Sequence, residues 1–153
     1  MPATWVVVAD SAAARLFRVP SPTGPLEEFE SYAHTEGRAH TRDLVSDQQG
    51  RAFDSMGQGR HAMEPRVDPK EQEKIGFARL LADRVRSARS KGEIERVFLV
   101  APPEFLGYLR SNLDSETKRV VQGEFALNVV RMRTEDIRSR LPDRLYSSLN
   151  ERS

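Results

Sequence analysis

The run WVVVA at Trp5–Ala9 constrains this chain more than any other stretch. Five consecutive apolar residues, four of them aromatic or β-branched, favour an extended backbone, and the lack of polar alternation means that both faces of the strand must be covered. A strand of that kind sits in the middle of a layered sheet. A second run, RVFLVA at Arg96–Ala101, has the same character and is ended by Pro102 and Pro103. Two doubly covered strands far apart in sequence call for a layer of helix on each side of one sheet.

Between them lies the strongest helical signal in the chain. Asp68 is a good N-cap, Pro69 suits the first helical position, and Glu71 completes a capping box three residues after Asp68. Ile75, Ala78, Ala82 and Val85 form one apolar stripe, widened by Phe77 and Leu81. Arg86, Arg89 and Lys91 lie near the negative end of the helix dipole, and Gly92 supplies a left-handed closing residue.

The remaining elements follow from shorter patterns. Ala14–Val19 and Glu28–Ala33 read as extended segments separated by Pro20, Pro22, Gly24 and Pro25, which with Trp5–Ala9 predicts an antiparallel meander. After Pro103 the expected order is a helix over Glu104–Asn112, a helix over Ser115–Gln122, a buried strand over Ala126–Met132 and a last helix over Thr134–Leu141. Helices alternating with strands predict parallel pairing with crossover helices. The expected fold class is therefore α/β, a single mixed sheet with an N-terminal antiparallel meander and a parallel βαβ second half. One domain over residues 1–153 is expected, carrying a long polar loop at 34–67 in which periodicity is lost.

Composition narrows the function classes. With 24 Lys and Arg against 23 Asp and Glu, no global field draws the molecule onto nucleic acid or anionic lipid, so such a partner must be met by a local patch. Residues 1–50 hold 4 basic and 7 acidic side chains while residues 51–100 hold 11 and 8, which puts the basic surplus in the middle third. The chain has no cysteine, which excludes disulfides, thiolate nucleophiles and Cys-based metal sites. His34, His40 and His61 are not paired at helical spacing, so no zincin-type site exists, and no cofactor is expected. MPATWVVVADS lacks a basic n-region and its apolar run is too short for a signal peptide or a membrane span, which leads to the expectation of a cytoplasmic protein.

The stretch best suited to contact a partner is GRAFDSMGQGRHAMEP, Gly50–Pro65. Gly57 and Gly59 flank Gln58 and allow backbone conformations and close approaches closed to other residues. Arg60 and His61 add a guanidinium and a titratable imidazole. The stretch lacks the Lys-Ser/Thr of a P-loop and the spacing of a dinucleotide fingerprint. Read locally, the plainer account is a surface loop whose glycines permit turns.

Together with VFLVAPPEFLGYLR and the opening VVVADSAAARLF, that string resembles the bacterial host attachment protein family over nearly the whole chain. The family in turn resembles the central domain of archaeal and eukaryotic peptide-release factors, which implies a sheet of ribonuclease H-like or ribosomal L18-like type. In those factors a Gly-Gly-Gln loop ahead of a long helix enters the peptidyl transferase centre and positions water against the peptidyl-tRNA ester. The resemblance thus implies that Gln58 is the catalytic glutamine and Gly57 the glycine before it, with Met56 in place of the first glycine and Gly59 following. It implies a translation-associated factor meeting the ribosome or tRNA, with or without ester hydrolysis. The other reading is a non-catalytic protein-interaction module in host attachment or envelope physiology, with protein partners.

Two further patterns bear on chemistry. Asp10, at the end of the first strand, is where a ribonuclease H-like enzyme would hold Mg²⁺, with Asp54, Glu64 or Asp114 as partners, but an Asp after a strand more often caps a turn. Arg79, Arg86 and Arg89 lie on or near the polar side of the long helix, and Arg79 and Arg86 are candidate RNA-binding residues. The plainer account of that side is a solvated face with Asp83 bridging Arg79 and Arg86.

Overall fold

The structure, a computed structural model, describes residues 2–35, 38–41 and 68–147. The doubly covered strand is where the apolar run demands it. Strand β1 (Ala3–Ala9) is buried from Thr4 onward and lies at the centre of a six-stranded sheet. The chain turns back into β2 (Ala13–Arg18) and again into β3 (Glu27–Thr35), both antiparallel, and a short β4 (Arg38–Thr41) extends that side. On the other side β5 (Ile94–Ala101) and β6 (Val121–Ala126) run parallel to β1. The order is β4-β3-β2-β1-β5-β6, which is the expected antiparallel meander joined to a parallel half.

Helix α1 (Pro69–Ser90) connects β4 to β5 across one face. Asp68 caps it by accepting from the Glu71 N–H at 2.9 Å, and Gly92, at φ 76°, closes it in the left-handed conformation. Phe77, Ala78, Leu81, Ala82, Val85 and Ala88 face the sheet. Burying Phe77 and Leu81 stabilises the fold by about 2 kcal/mol each. Helix α2 (Pro103–Ser111) packs beside α1, followed by the single-turn α3 (Ser115–Arg119).

The other face is covered by the C-terminal segment, including α4 (Thr134–Ser139). Val129, Val130, Ile137, Leu141 and Leu145 meet Val6, Val8, Phe17, Phe98 and Val100 there. Two arginines fasten this segment to the meander. Arg15 donates to the Val130 and Met132 carbonyls at 2.8 and 2.6 Å, and Arg138 donates to carbonyls of Gly24, Pro142 and Asp143, each at 2.8 Å. Carbonyls that no ladder satisfies are thereby paired.

Three expectations are corrected. The strand placed at Ala126–Met132 is instead Val121–Ala126, and the helix placed at Ser115–Gln122 stops at Arg119. β6 is an edge strand, so its VQGEFA sequence needs only partial cover. The apolar Val129 and Val130 belong to a turn, with Met132 N–H donating to Val129 O, that fills the second core without entering the sheet. In addition, β3 continues through Thr35 and β4 occupies 38–41, inside the stretch read as a polar loop. A short strand at the sheet edge pairs through its backbone and leaves little apolar pattern to read.

Candidate functional site

Strands β1, β5 and β6 point their C-terminal ends at one edge of the sheet, and there the chain leaves β1 toward β2 on one side and β5 toward β6 on the other. Open α/β sheets place ligand-handling loops at such a divergence. The first turns of α1 and α2 are brought together at this edge, which places Asp68, the N-cap of α1, beside it.

Asp10 is committed to shaping the edge. Its Oδ1 accepts from the N–H groups of Ala12 and Ala13 at 2.8 and 2.9 Å, the turn-capping geometry of an Asx motif. Asp114 likewise caps α3 by accepting from Thr117 N–H at 2.8 Å, and hydrogen bonding from Thr117 holds its carboxyl below the usual range. Among the described residues no group of three His, Asp or Glu has the geometry to hold a metal ion. Asp54 and Glu64, the other carboxylates considered with Asp10, lie outside the described residues.

His34 is the residue at this edge whose place the sequence did not reveal. Its Nδ1–H donates to the Ser11 carbonyl at 2.8 Å, its backbone N–H donates to Ala12 O at 2.8 Å, and its ring stacks on Phe77 at 4.8 Å between centroids. A carbonyl can only accept, so the proton sits on Nδ1 and, in the neutral ring, Nε2 carries the lone pair. His34 thus ties the β1–β2 turn to α1. Spacing along β3 gives no hint of it, because both partners come from other elements.

The first turns of α1 and α2 are braced through Tyr108. Its hydroxyl donates to Glu71 Oε2 at 2.7 Å and lies 3.1 Å from Glu104 Oε2, while Lys74 Nζ stands 3.7 Å from Glu104. The Glu71 hydrogen bond, the larger of the causes, raises the Tyr108 pKa and keeps the phenol neutral as a donor. Glu71 therefore spends its carboxylate on α2 as well as standing at the capping-box position.

In the C-terminal half of α1, Arg84 grips β3. Its Nε and an amino nitrogen donate to the two Glu30 oxygens at 2.8 and 2.9 Å, its guanidinium lies 5.0 Å from the Trp5 ring centre, and the Tyr32 hydroxyl also donates to Glu30. The Arg84 hydrogen bonds hold the Glu30 carboxyl below its ordinary value against the opposing effect of burial. Burial, then the Glu30 contact, pushes the Tyr32 phenol up. A sequence signal existed: Arg84 stands seven residues after Phe77 and three after Leu81, inside the apolar stripe, where a charge needs a partner.

The helix arginines divide. Arg79 and Arg86 are exposed, and Arg86 lies 3.3 Å from Asp83, half of the expected bridge. Arg89 turns away, donating to the buried Thr117 hydroxyl at 3.0 Å and lying within 3.9 Å of Asp114 and 3.5 Å of Glu116. The other predicted site residues, Gly57, Gln58, Gly59, Arg60 and His61, lie outside the described residues. Within those that are described, the edge is a rigid mount: its polar groups are engaged in holding α1, α2 and the β1–β2 turn together. No helix among the described residues is long and apolar enough to cross a membrane.

The model of a family described as "Protein required for attachment to host cells" matches residues 5–141. No curated protein matches the chain. Among solved structures, it is similar to an archaeal translation termination factor, with 10% identity, a TM-score of 0.42, and coverage of 92% of this chain and 35% of that one. It is also similar to the type II variant of the Aquifex aeolicus Ppx/GppA phosphatase, with 16% identity, a TM-score of 0.38, and coverage of 82% and 36%. The chain spans about a third of the length of each.

Proposed function

This chain belongs to the family of proteins required for attachment to host cells, and within that family we propose that it acts in the cytoplasm as a translation-associated factor. It meets ribosomal RNA or tRNA through Gly57, Gln58, Gly59, Arg60 and His61, with Arg79 and Arg86 of α1 as flanking phosphate contacts. The observation that supports this reading is mechanical. The segment carrying GQGRH runs into a 22-residue helix, about 33 Å long, whose start is N-capped and tied to α2 through Tyr108 and whose side is held by His34 and Arg84. A partner-contacting segment gains from such a mount because less motion must be frozen on binding. Peptidyl-tRNA ester hydrolysis is the reaction that Gln58 would serve, by positioning water, and Met56 in place of a second preceding glycine favours binding over hydrolysis.

The test is co-sedimentation with ribosomes. Wild type is expected to pellet with ribosomes at low salt and to be released as salt rises, while a Gln58→Ala, Arg60→Ala variant stays in the supernatant with its fold intact. A wild type that never pellets removes the proposal.

The family description favours a second reading, a non-catalytic interaction module in attachment or envelope physiology. Affinity capture then returns protein partners that survive nuclease treatment. Recovery that depends on RNA counts against it.

A further inference from the structure

The face of the sheet opposite α1 is covered by chain that enters no strand. After Leu127, whose N–H donates to Ala101 O at 3.1 Å, the backbone passes over Val6, Val8, Phe17, Phe98 and Val100. Among the described residues a single backbone hydrogen bond joins 128–147 to the rest of the molecule, from Leu145 N–H to Pro22 O at 2.9 Å. From this we propose that residues 128–147 form a strap that opens as one unit and uncovers the second face of the sheet, while the sheet, α1 and α2 stay folded.

Side chains, not ladders, latch the strap. Arg15, anchored by Glu28 at 3.0 Å, holds its first part by donating to the Val130 and Met132 carbonyls and to Thr134 Oγ1 at 3.2 Å. Arg138 holds the middle by donating to Gly24 O at 2.8 Å and Pro22 O at 3.4 Å. The Tyr146 hydroxyl donates to Val19 O at 2.9 Å, and the Tyr146 ring lies 4.3 Å from the Arg96 guanidinium. Releasing these contacts breaks no strand pairing, because the β1–β2, β1–β5 and β5–β6 ladders are complete without the strap. Within the strap, the N–H groups of Met132, Ile137, Arg140 and Leu141 are already satisfied locally, and the carbonyls freed by the arginines can turn to water.

What opposes release is the burial of Val129, Val130, Ile137, Leu141 and Leu145. These side chains share one core with the sheet, so they leave it together and not one at a time. The conformational freedom that the strap regains offsets part of the lost burial. The α1 face has a different construction: a 22-residue helix with its own hydrogen bonds, held by the Arg84–Glu30 pair and the His34–Phe77 stack. The molecule therefore changes state on the strap face without disturbing the mount of α1.

The experiment uses thiol labelling of the full chain with iodoacetamide, which is clean because the chain has no cysteine. Val7 and Val8 are neighbours in β1, 1% and 0% exposed, with Val7 in the core beneath α1 and Val8 in the core beneath the strap. Each variant's rate is divided by its rate in denaturant, and Val8→Cys is expected to react at least about tenfold faster than Val7→Cys. Adding Glu30→Gln loosens a contact that survives strap opening, so it should accelerate Val7→Cys and leave Val8→Cys unchanged. Native-state hydrogen exchange of the wild type, which needs no substitution, should show the Ile137 and Leu141 amides opening at lower denaturant than those of Val6 and Val8. Equal labelling at the two positions, acceleration of both by Glu30→Gln, or a common opening of strap and β1 amides overturns the proposal.

Discussion

Replacing Glu30 with Gln isolates the contact that fastens α1 to the meander. Glu30 accepts two hydrogen bonds from Arg84, and the two side chains are 28% and 29% exposed, between the surface and the interior. An exposed ion pair contributes about 0.5 kcal/mol and a buried charged hydrogen bond about 1.5–3 kcal/mol. Discounted for this exposure, the substitution costs about 1.5 kcal/mol, which in a chain of this size lowers Tm by about 3–6 °C. The effect has a pH signature. Because the folded-state pKa of Glu30 lies below its ordinary value, its stabilisation is fully present above the unfolded value of about 4.3 and is lost as pH falls through the folded value. Thermal melts of wild type and Glu30→Gln should therefore differ by a constant amount from neutral pH down to about pH 5.5 and converge in more acid solution. In a double-mutant cycle, Arg84→Met should couple to Glu30→Gln by about 1 kcal/mol. A Tm difference below about 1 °C at neutral pH, or one that persists unchanged in acid, would refute the assignment of this pair as the tether.

Phe77→Ala removes a ring that is 1% exposed and takes away the face on which His34 stacks; it should cost about 3–5 kcal/mol by denaturant melt, and a loss under about 1 kcal/mol means that the site collapses around the change. Gly92→Ala places a side chain at φ 76° in open space, so the penalty is backbone strain alone, about 1–2 kcal/mol, and an unchanged midpoint contradicts the left-handed closure of α1. Arg138→Met retains the aliphatic stem but strips the donors from the Gly24, Pro142 and Asp143 carbonyls; hydrogen exchange over residues 134–147 should accelerate ahead of that in α1, and uniform acceleration argues against a local clip. Thr117→Val swaps a buried hydroxyl for a methyl and orphans the Arg89 Nε donor, for a loss of about 1–2 kcal/mol on chemical denaturation.

What was legible in the sequence was whatever depends on neighbours along the chain. WVVVA and RVFLVA specify strands covered on both faces, and Asp68, Pro69 and Gly92 fix where α1 starts and stops, because capping and buried-strand patterns are local properties of the backbone. The alternation of elements after Gly92 then leaves parallel pairing as the economical connection, as found in β1, β5 and β6. Even the errors have a local cause: Val129 and Val130 carry a buried-strand pattern because burial, not strand geometry, is what an apolar run encodes.

Tertiary structure alone decided which polar groups meet. His34 finds Ser11 and Phe77, Arg84 finds Glu30, Arg138 finds the Gly24 carbonyl, and Arg96 finds Thr4 and Tyr146, all across sequence separations that no periodicity spans. Hydrophobic burial is a property that each residue carries with it, so it can be read in sequence. A hydrogen bond or a stacked cation is a relation between two positions, and its partner is known only once the sheet order has brought the two together.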